Sequence, residues 1–182
     1  MLSARPLSPA APLARRAAAV IAGSALLAAS AQIAVPMLPV PITLQTLAIP
    51  ILVALLGRRL ATLAVLTYLA EAALGLPVLQ GFAGGLVRFA GPTAGYLVGF
   101  PLAAWLVGTL YERGLGTTYA GRFVAVFVGT GIVFVTGAAW LAFGLHLGVP
   151  RALALGVAPF LIGDLAKCLV AAAFPPRATT SG

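Results

Sequence analysis

Long apolar runs recur from Ala17 to Phe174, and most charged side chains fall in the short segments between them. That alternation constrains the fold more than any single motif does. With 62% hydrophobic and 8% charged residues, the chain falls far below the roughly 25% charged composition of soluble domains. Its residues cannot supply a water-facing polar surface. Runs of this length and composition predict bilayer-spanning helices, so the expected class is an all-α integral membrane protein.

Six transmembrane helices are expected. The first covers 13–35 and ends at "VPMLPVP", where prolines remove backbone donors and disfavour helical geometry. The second covers 43–56 and stops at "GRR"; the third covers 60–74 and stops at "GLP". A glycine-rich stretch, "GFAGGLVRFAG", precedes the fourth, 92–110, and the fifth takes 123–145. Pro150 opens the sixth, which runs to 174 with a kink at Pro159. The second and third are short against the roughly 20 residues a crossing needs, and one re-entrant hairpin is the alternative to two spans. The preferred organisation is a single six-helix domain, 13–174, between cytoplasmic tails 1–12 and 175–182.

The net charge of +8 would suggest nucleic acid in a soluble protein. Here the arginines stand singly or in pairs between apolar runs, without the basic stretch that grips phosphates, so no nucleic-acid partner is expected. Topology accounts for them instead. With the N-terminus inside, Arg5, Arg15, Arg16, Arg58, Arg59, Arg113, Arg122 and Arg177 are cytoplasmic, and only Arg88 and Arg151 are outside. Such enrichment is the positive-inside bias, and it places both termini in the cytoplasm. The pair Arg15–Arg16, an apolar run and "ASA" at 29–31 also match a signal peptide with an A-x-A site. Cleavage there would remove a helix and the arginine asymmetry, so the helix is expected to be retained.

Two charges break the alternation. Asp164 and Lys167, the only aspartate and the only lysine, lie within "FLIGDLAKCLV". At i and i+3 they share a helix face and can reach each other. Ionisable groups inside a membrane are costly and mark ligand or ion pathways by default. A structural ion pair, or a lysine stretching to the headgroups, is the plainer alternative. No enzyme is indicated. One histidine, one cysteine and three acidic residues do not supply a metal cluster. The lysine follows "GDLA", so no phosphate-binding G-x-x-x-x-G-K-[ST] loop exists, and any ATP hydrolysis must come from partners.

Three stretches together resemble one family. "VPMLPVPITLQTLAIPILVALLG" (35–57), "LGLPVLQGFAGGLVRFAGPTAGYLVGF" (74–100) and "GDLAKCLVAA" (163–172) are similar to the BioY family. Its members are the biotin-binding S components of energy-coupling-factor (ECF) vitamin transporters. One departure is visible: Ala94 stands where the family's G-P-T-G-G-Y has glycine. The resemblance implies a six-helix S-component fold in a bacterial cytoplasmic membrane, with biotin captured from outside. It also implies a transmembrane coupling subunit and two cytoplasmic ATPases as partners, and no cofactor. Capture of a different vitamin, or proton or ion conduction through Asp164–Lys167, are the competing functions.

Biotin offers two ureido N–H donors, a carbonyl acceptor and a carboxylate. Asp164 suits the donors and Lys167 an oxygen, so both are candidate binding residues. Arg88, in the outer glycine-rich loop, matches a carboxylate in geometry; anchoring at lipid phosphates is its alternative role. Pro92 suits the first turn of the following helix, whose free N–H groups would favour an anion near Thr93 and Tyr96. Thr43, Gln45 and Thr46 begin the second helix, where they either bond ligand or cap and tie helices, the second role being preferred. Glu71 and His146 read as interfacial, and Trp105 and Trp140 as packing or belt residues. On the first helix, Ala14, Ala18 and Ala22 repeat every four residues and leave a flat ridge. It resembles the ridge that S components present to their coupling subunit; internal packing is the alternative.

Overall fold

A computed structural model describes residues 13–177 as a helical bundle. Helix α1, Leu13–Gln32, stops three residues earlier than expected because the chain turns into a short antiparallel pairing. There β1, Ala34–Val35, pairs with β2, Ile42–Thr43, and the proline-rich "PMLPVP" forms the loop between them. Helix α2 then runs Gln45–Ala73. Helix α3, Ala94–Leu110, and α4, Tyr119–Ala139, each continue into a π-helical turn, 111–115 and 140–144 respectively. Thr118 caps α4 by accepting from the Gly121 N–H at 3.0 Å. The last run divides into α5, Val149–Gly156, and α6, Leu161–Ala172, around a 3-10 turn that holds Pro159. The kink expected at that proline is present.

Six separate spans are not found. Among the described residues, five helical segments are long and apolar enough to cross a bilayer. The difference lies in α2, which the sequence divides in two. Gly57 breaks it with φ 78 and ψ 166, in a region that glycine enters without the steric cost a Cβ brings. The bend is a reversal. Gln45 Nε2 donates to the Tyr68 hydroxyl at 2.8 Å across 23 positions, which an unbroken helix would hold about 35 Å apart. The legs, 45–56 and 58–73, therefore lie side by side, and each is shorter than the roughly 20 residues of a straight crossing.

Small residues let the helices approach. A Cβ on Gly99 of α3 would stand 2.8 Å from the Val133 Cα of α4, so the two backbones meet at contact distance. The buried core of the bundle includes Leu27, Leu52, Val53, Val107, Val126 and Leu141. Many large apolar side chains, such as Ile21, Val135 and Ile162, remain exposed, as expected where lipid is the solvent.

The bundle has two unlike ends. Arg58 at the α2 bend pairs with Glu112 at 3.0 Å, and the Arg177 N–H donates to the Ala54 carbonyl at 2.9 Å. The Arg122 Nε also donates to the Ala172 carbonyl at this end. The opposite end gathers the β1–β2 loop, the start of α2 and the long segment 74–93. That second end holds the cavity.

Candidate functional site

The cavity has a volume of about 300 Å³, at the lower edge of the roughly 300–1,000 Å³ of small-molecule sites. All six candidate binding residues line it: Thr43, Gln45, Arg88, Tyr96, Asp164 and Lys167. They come from β2, the start of α2, a 3-10 turn at Leu86–Phe89, α3 and α6. Apolar walls complete the enclosure, with Leu97, Phe100, Val133, Phe134 and Phe160 among them.

Asp164 and Lys167 do come together, but loosely. Lys167 Nζ lies 4.0 Å from Asp164 Oδ1, beyond a good charge-assisted hydrogen bond. Lys167 does not stretch to headgroups. Its Nζ donates to the Thr43 carbonyl at 2.7 Å and to the Thr46 hydroxyl at 3.1 Å, tying α6 to the start of α2. Of three ammonium protons, one remains for Asp164 or a ligand. Asp164 is 6% exposed, and its Oδ1 has no hydrogen-bond partner among the described residues. Oδ2 has only the weak Cys168 thiol at 3.9 Å. A buried carboxylate oxygen without a donor is costly, and such atoms usually mark a missing ligand, ion or water.

Thr43 and Gln45 are also engaged with other parts of the chain. Gln45 is buried and its amide is engaged at both ends: Nε2 donates to Tyr68, and Oε1 accepts from the Thr43 hydroxyl at 3.1 Å. The helix cap is Leu44, without a side-chain bond, so Thr43 does not cap α2. Its backbone carbonyl holds Lys167 instead. Tyr96 contributes its ring to the cavity, while its hydroxyl donates to the Gly156 carbonyl at 2.7 Å.

Some of the N–H groups expected to favour an anion near Thr93 and Tyr96 are engaged within the chain. Helix α3 begins at Ala94, with Pro92 outside its first turn. The Ala94 N–H is taken by the Gly91 carbonyl and that of Tyr96 by the Thr93 carbonyl. Arg88 is exposed at the cavity's edge.

Gln32, Phe134 and Phe160 were not singled out by the sequence, whereas Trp140, Glu71 and His146 were. Gln32, at the end of α1, donates to the Leu79 carbonyl at 3.0 Å and accepts from the Phe82 N–H at 3.1 Å. It thereby pins the loop that carries Leu79, Gln80 and Ala83 into the cavity wall. Trp140 Nε1 donates to the Gly91 carbonyl at 2.9 Å, which fixes the segment before α3 to α4. Phe134 and Phe160, whose rings are 5.8 Å apart, line the cavity but are indistinguishable by composition from lipid-facing residues. Glu71 accepts from Ser24 at 3.0 Å, joining α1 to the second leg of α2. His146 is exposed in the turn before α5.

The ridge residues Ala14, Ala18 and Ala22 are exposed. The packed face of α1 is formed by Gly23, Ser24, Leu27, Ser30 and Ala31. Internal packing is therefore not what the ridge does. No group of three or more metal-ligating side chains occurs among the described residues.

Comparison with known proteins agrees with this geometry. The chain is 39% identical over 149 residues to the biotin transporter BioY of Thermotoga maritima, covering 82% of this chain and 86% of that protein. It is 40% identical over 142 residues to the biotin transporter BioY of Rhizobium etli, covering 74% and 75%. A crystal structure of the S-component for biotin from an ECF-type ABC transporter superposes with a TM-score of 0.80 at 29% identity, covering 90% of each chain. The BioY family model matches residues 3–181. With its fold, its cavity and its sequence in agreement, the chain belongs to the BioY family.

Proposed function

We propose that this chain captures biotin and passes it across the membrane as the substrate-binding component of an ECF-type transporter. The observation that carries the proposal is the unpartnered Asp164 Oδ1, buried in an otherwise largely apolar cavity. It accepts a ureido N–H, while the remaining Lys167 proton serves the ureido oxygen or steadies the carboxylate. The biotin carboxylate points the other way. Beside Asp164 it would set like charges together in a low-dielectric site, whereas Arg88 at the edge offers a matching guanidinium. The bicycle and alkyl chain fill the space against Phe100, Phe134 and Phe160.

The cavity opens toward the arginine-poor end, which the positive-inside bias assigns to the outside. Because α2 reverses at Gly57, both legs run between the two ends, and the termini lie together on the arginine-rich side. Reporter tags at positions 2, 84, 117 and 182 then read in, out, in and in. The ridge of Ala14, Ala18 and Ala22 meets a transmembrane coupling subunit, through which two cytoplasmic ATPases supply energy. Binding of radiolabelled biotin to purified protein, against a panel of other vitamins, tests the central claim. Saturable binding of biotin alone is the expected result. PH-dependent ion flux without biotin binding would favour a conductor instead.

A further inference from the structure

Three buried side-chain polar atoms lack a partner among the described residues: Asp164 Oδ1, Arg58 Nε and the Tyr111 hydroxyl. The first belongs to the cavity above. The other two belong to residues that line a second cavity, of about 380 Å³, at the opposite end of the bundle. Arg58, Arg122 and Arg177 face it against a single carboxylate, Glu112, leaving positive charge in excess.

The cavity is built from fixed parts. Arg58 follows the Gly57 bend, lies 4.1 Å over the Trp105 ring and is held by Glu112 at 3.0 Å. Arg122 spends Nε and one terminal nitrogen on the Ala172 and Gly116 carbonyls. Arg177 is placed by its backbone bond to Ala54. Tyr111, 8% exposed, offers a hydroxyl that has no hydrogen-bond partner among the described residues.

We propose that this second cavity binds a phosphate group, and that an anionic lipid headgroup at the membrane surface supplies it. Guanidinium groups match phosphate oxygens in geometry and charge, and the Tyr111 hydroxyl and Arg58 Nε complete a set of donors. Basic pockets between helices on the cytoplasmic side are suited to such headgroups. Occupancy pins together the α2 bend, the α3 end and the C-terminal segment, the three parts that meet there.

Thermal unfolding of the full chain in detergent, with added phosphatidylglycerol, phosphatidylcholine of the same acyl chains, or inorganic phosphate, tests this. Phosphatidylglycerol is expected to raise the unfolding midpoint more than phosphatidylcholine does. The Arg177→Gln chain, which keeps its backbone bond to Ala54, should need roughly tenfold more of that lipid for the same shift, the scale of a lost charge-assisted bond. Tyr111→Phe should need roughly fivefold more, the scale of a neutral one. Stabilisation by inorganic phosphate with the same loss in Arg177→Gln keeps the site and makes its source a soluble phosphate. Equal response to both lipids and none to phosphate overturns the proposal, as does an unchanged response in Arg177→Gln.

Discussion

Lys167 Nζ donates to the Thr43 carbonyl oxygen at 2.7 Å, a bond that joins positions 124 residues apart, while the same Nζ stands 4.0 Å from Asp164 Oδ1. The two charged residues of α6 therefore do different work. Lys167 ties α6 to the start of α2, and in the proposed function Asp164 is the acceptor for biotin.

Their substitutions should separate accordingly. Asp164→Asn keeps the shape but removes charge and one acceptor, and should weaken biotin binding by at least about 1.5–3 kcal/mol, more than roughly tenfold. Its unliganded unfolding midpoint should change little, because Oδ1 has no hydrogen-bond partner among the described residues and only a loose 4.0 Å pairing with Lys167 to lose. Lys167→Met should lower both affinity and midpoint, since the Thr43 and Thr46 acceptors lose their donor. In the double variant the midpoint recovers no further than that of Lys167→Met, and affinity stays low. Wild-type affinity in a folded Asp164→Asn/Lys167→Met protein would remove this pair from the site.

The bend at Gly57 gives the second prediction. Any L side chain at φ 78 and ψ 166 is strained, whatever space surrounds it. Gly57→Ala should lower stability by about 1–3 kcal/mol, the usual cost of a sparsely populated backbone conformation. Tyr68→Phe removes the cross-leg bond from Gln45 at 2.8 Å and strands a buried amide, at about 1–3 kcal/mol. Unfolding midpoints in detergent, compared with a Gly131→Ala control where a Cβ meets open space, read both effects.

How much of this was legible in the sequence depends on what each residue faces. Asp164, Lys167, Arg88, Tyr96, Thr43 and Gln45 were legible as candidates because polar residues are conspicuous in an apolar chain, and the fold gathers them around one cavity. The aromatic walls were not legible, since Phe134 facing a ligand and Phe143 facing lipid are the same residue type in the same kind of run. Gln32 lies at the end of an ordinary helix, and only its bonds to the 79–82 loop reveal its purpose. The division of α2 was visible in "GRR", and the shortness of its legs raised a re-entrant hairpin as the alternative to two spans, but the sequence does not show the bond that sets the legs side by side. That bond runs from Gln45 to Tyr68 across the bend.

The exposed ridge of α1 gives the third prediction. Leucine at Ala14, Ala18 and Ala22 would hold a partner helix away, because close approach depends on small side chains. Co-purification with a coupling subunit should fall sharply, while biotin binding by the chain alone should stay within about twofold, since surface changes usually cost under about 0.5 kcal/mol. Parallel loss of both properties would mean that these positions support the fold rather than a partner.

Gln32 connects that helix to the binding cavity, and it gives the last prediction. Its amide donates to the Leu79 carbonyl and accepts from Phe82, a residue held at φ 54 in the loop that forms one wall. Phe82 is itself exposed, so the loop is held by these bonds more than by burial of its tip. Gln32→Leu keeps the bulk and removes both bonds, each contributing about 0.5–1.5 kcal/mol. The loop should then open more often, and biotin should leave about five- to tenfold faster, while its association rate changes little. Stopped-flow exchange of bound biotin against excess unlabelled ligand measures the first rate directly. An unchanged dissociation rate in a folded Gln32→Leu protein would show that the loop does not retain the ligand. A faster rate would make the end of α1 a lever on release, on the same helix whose opposite half carries the proposed docking ridge.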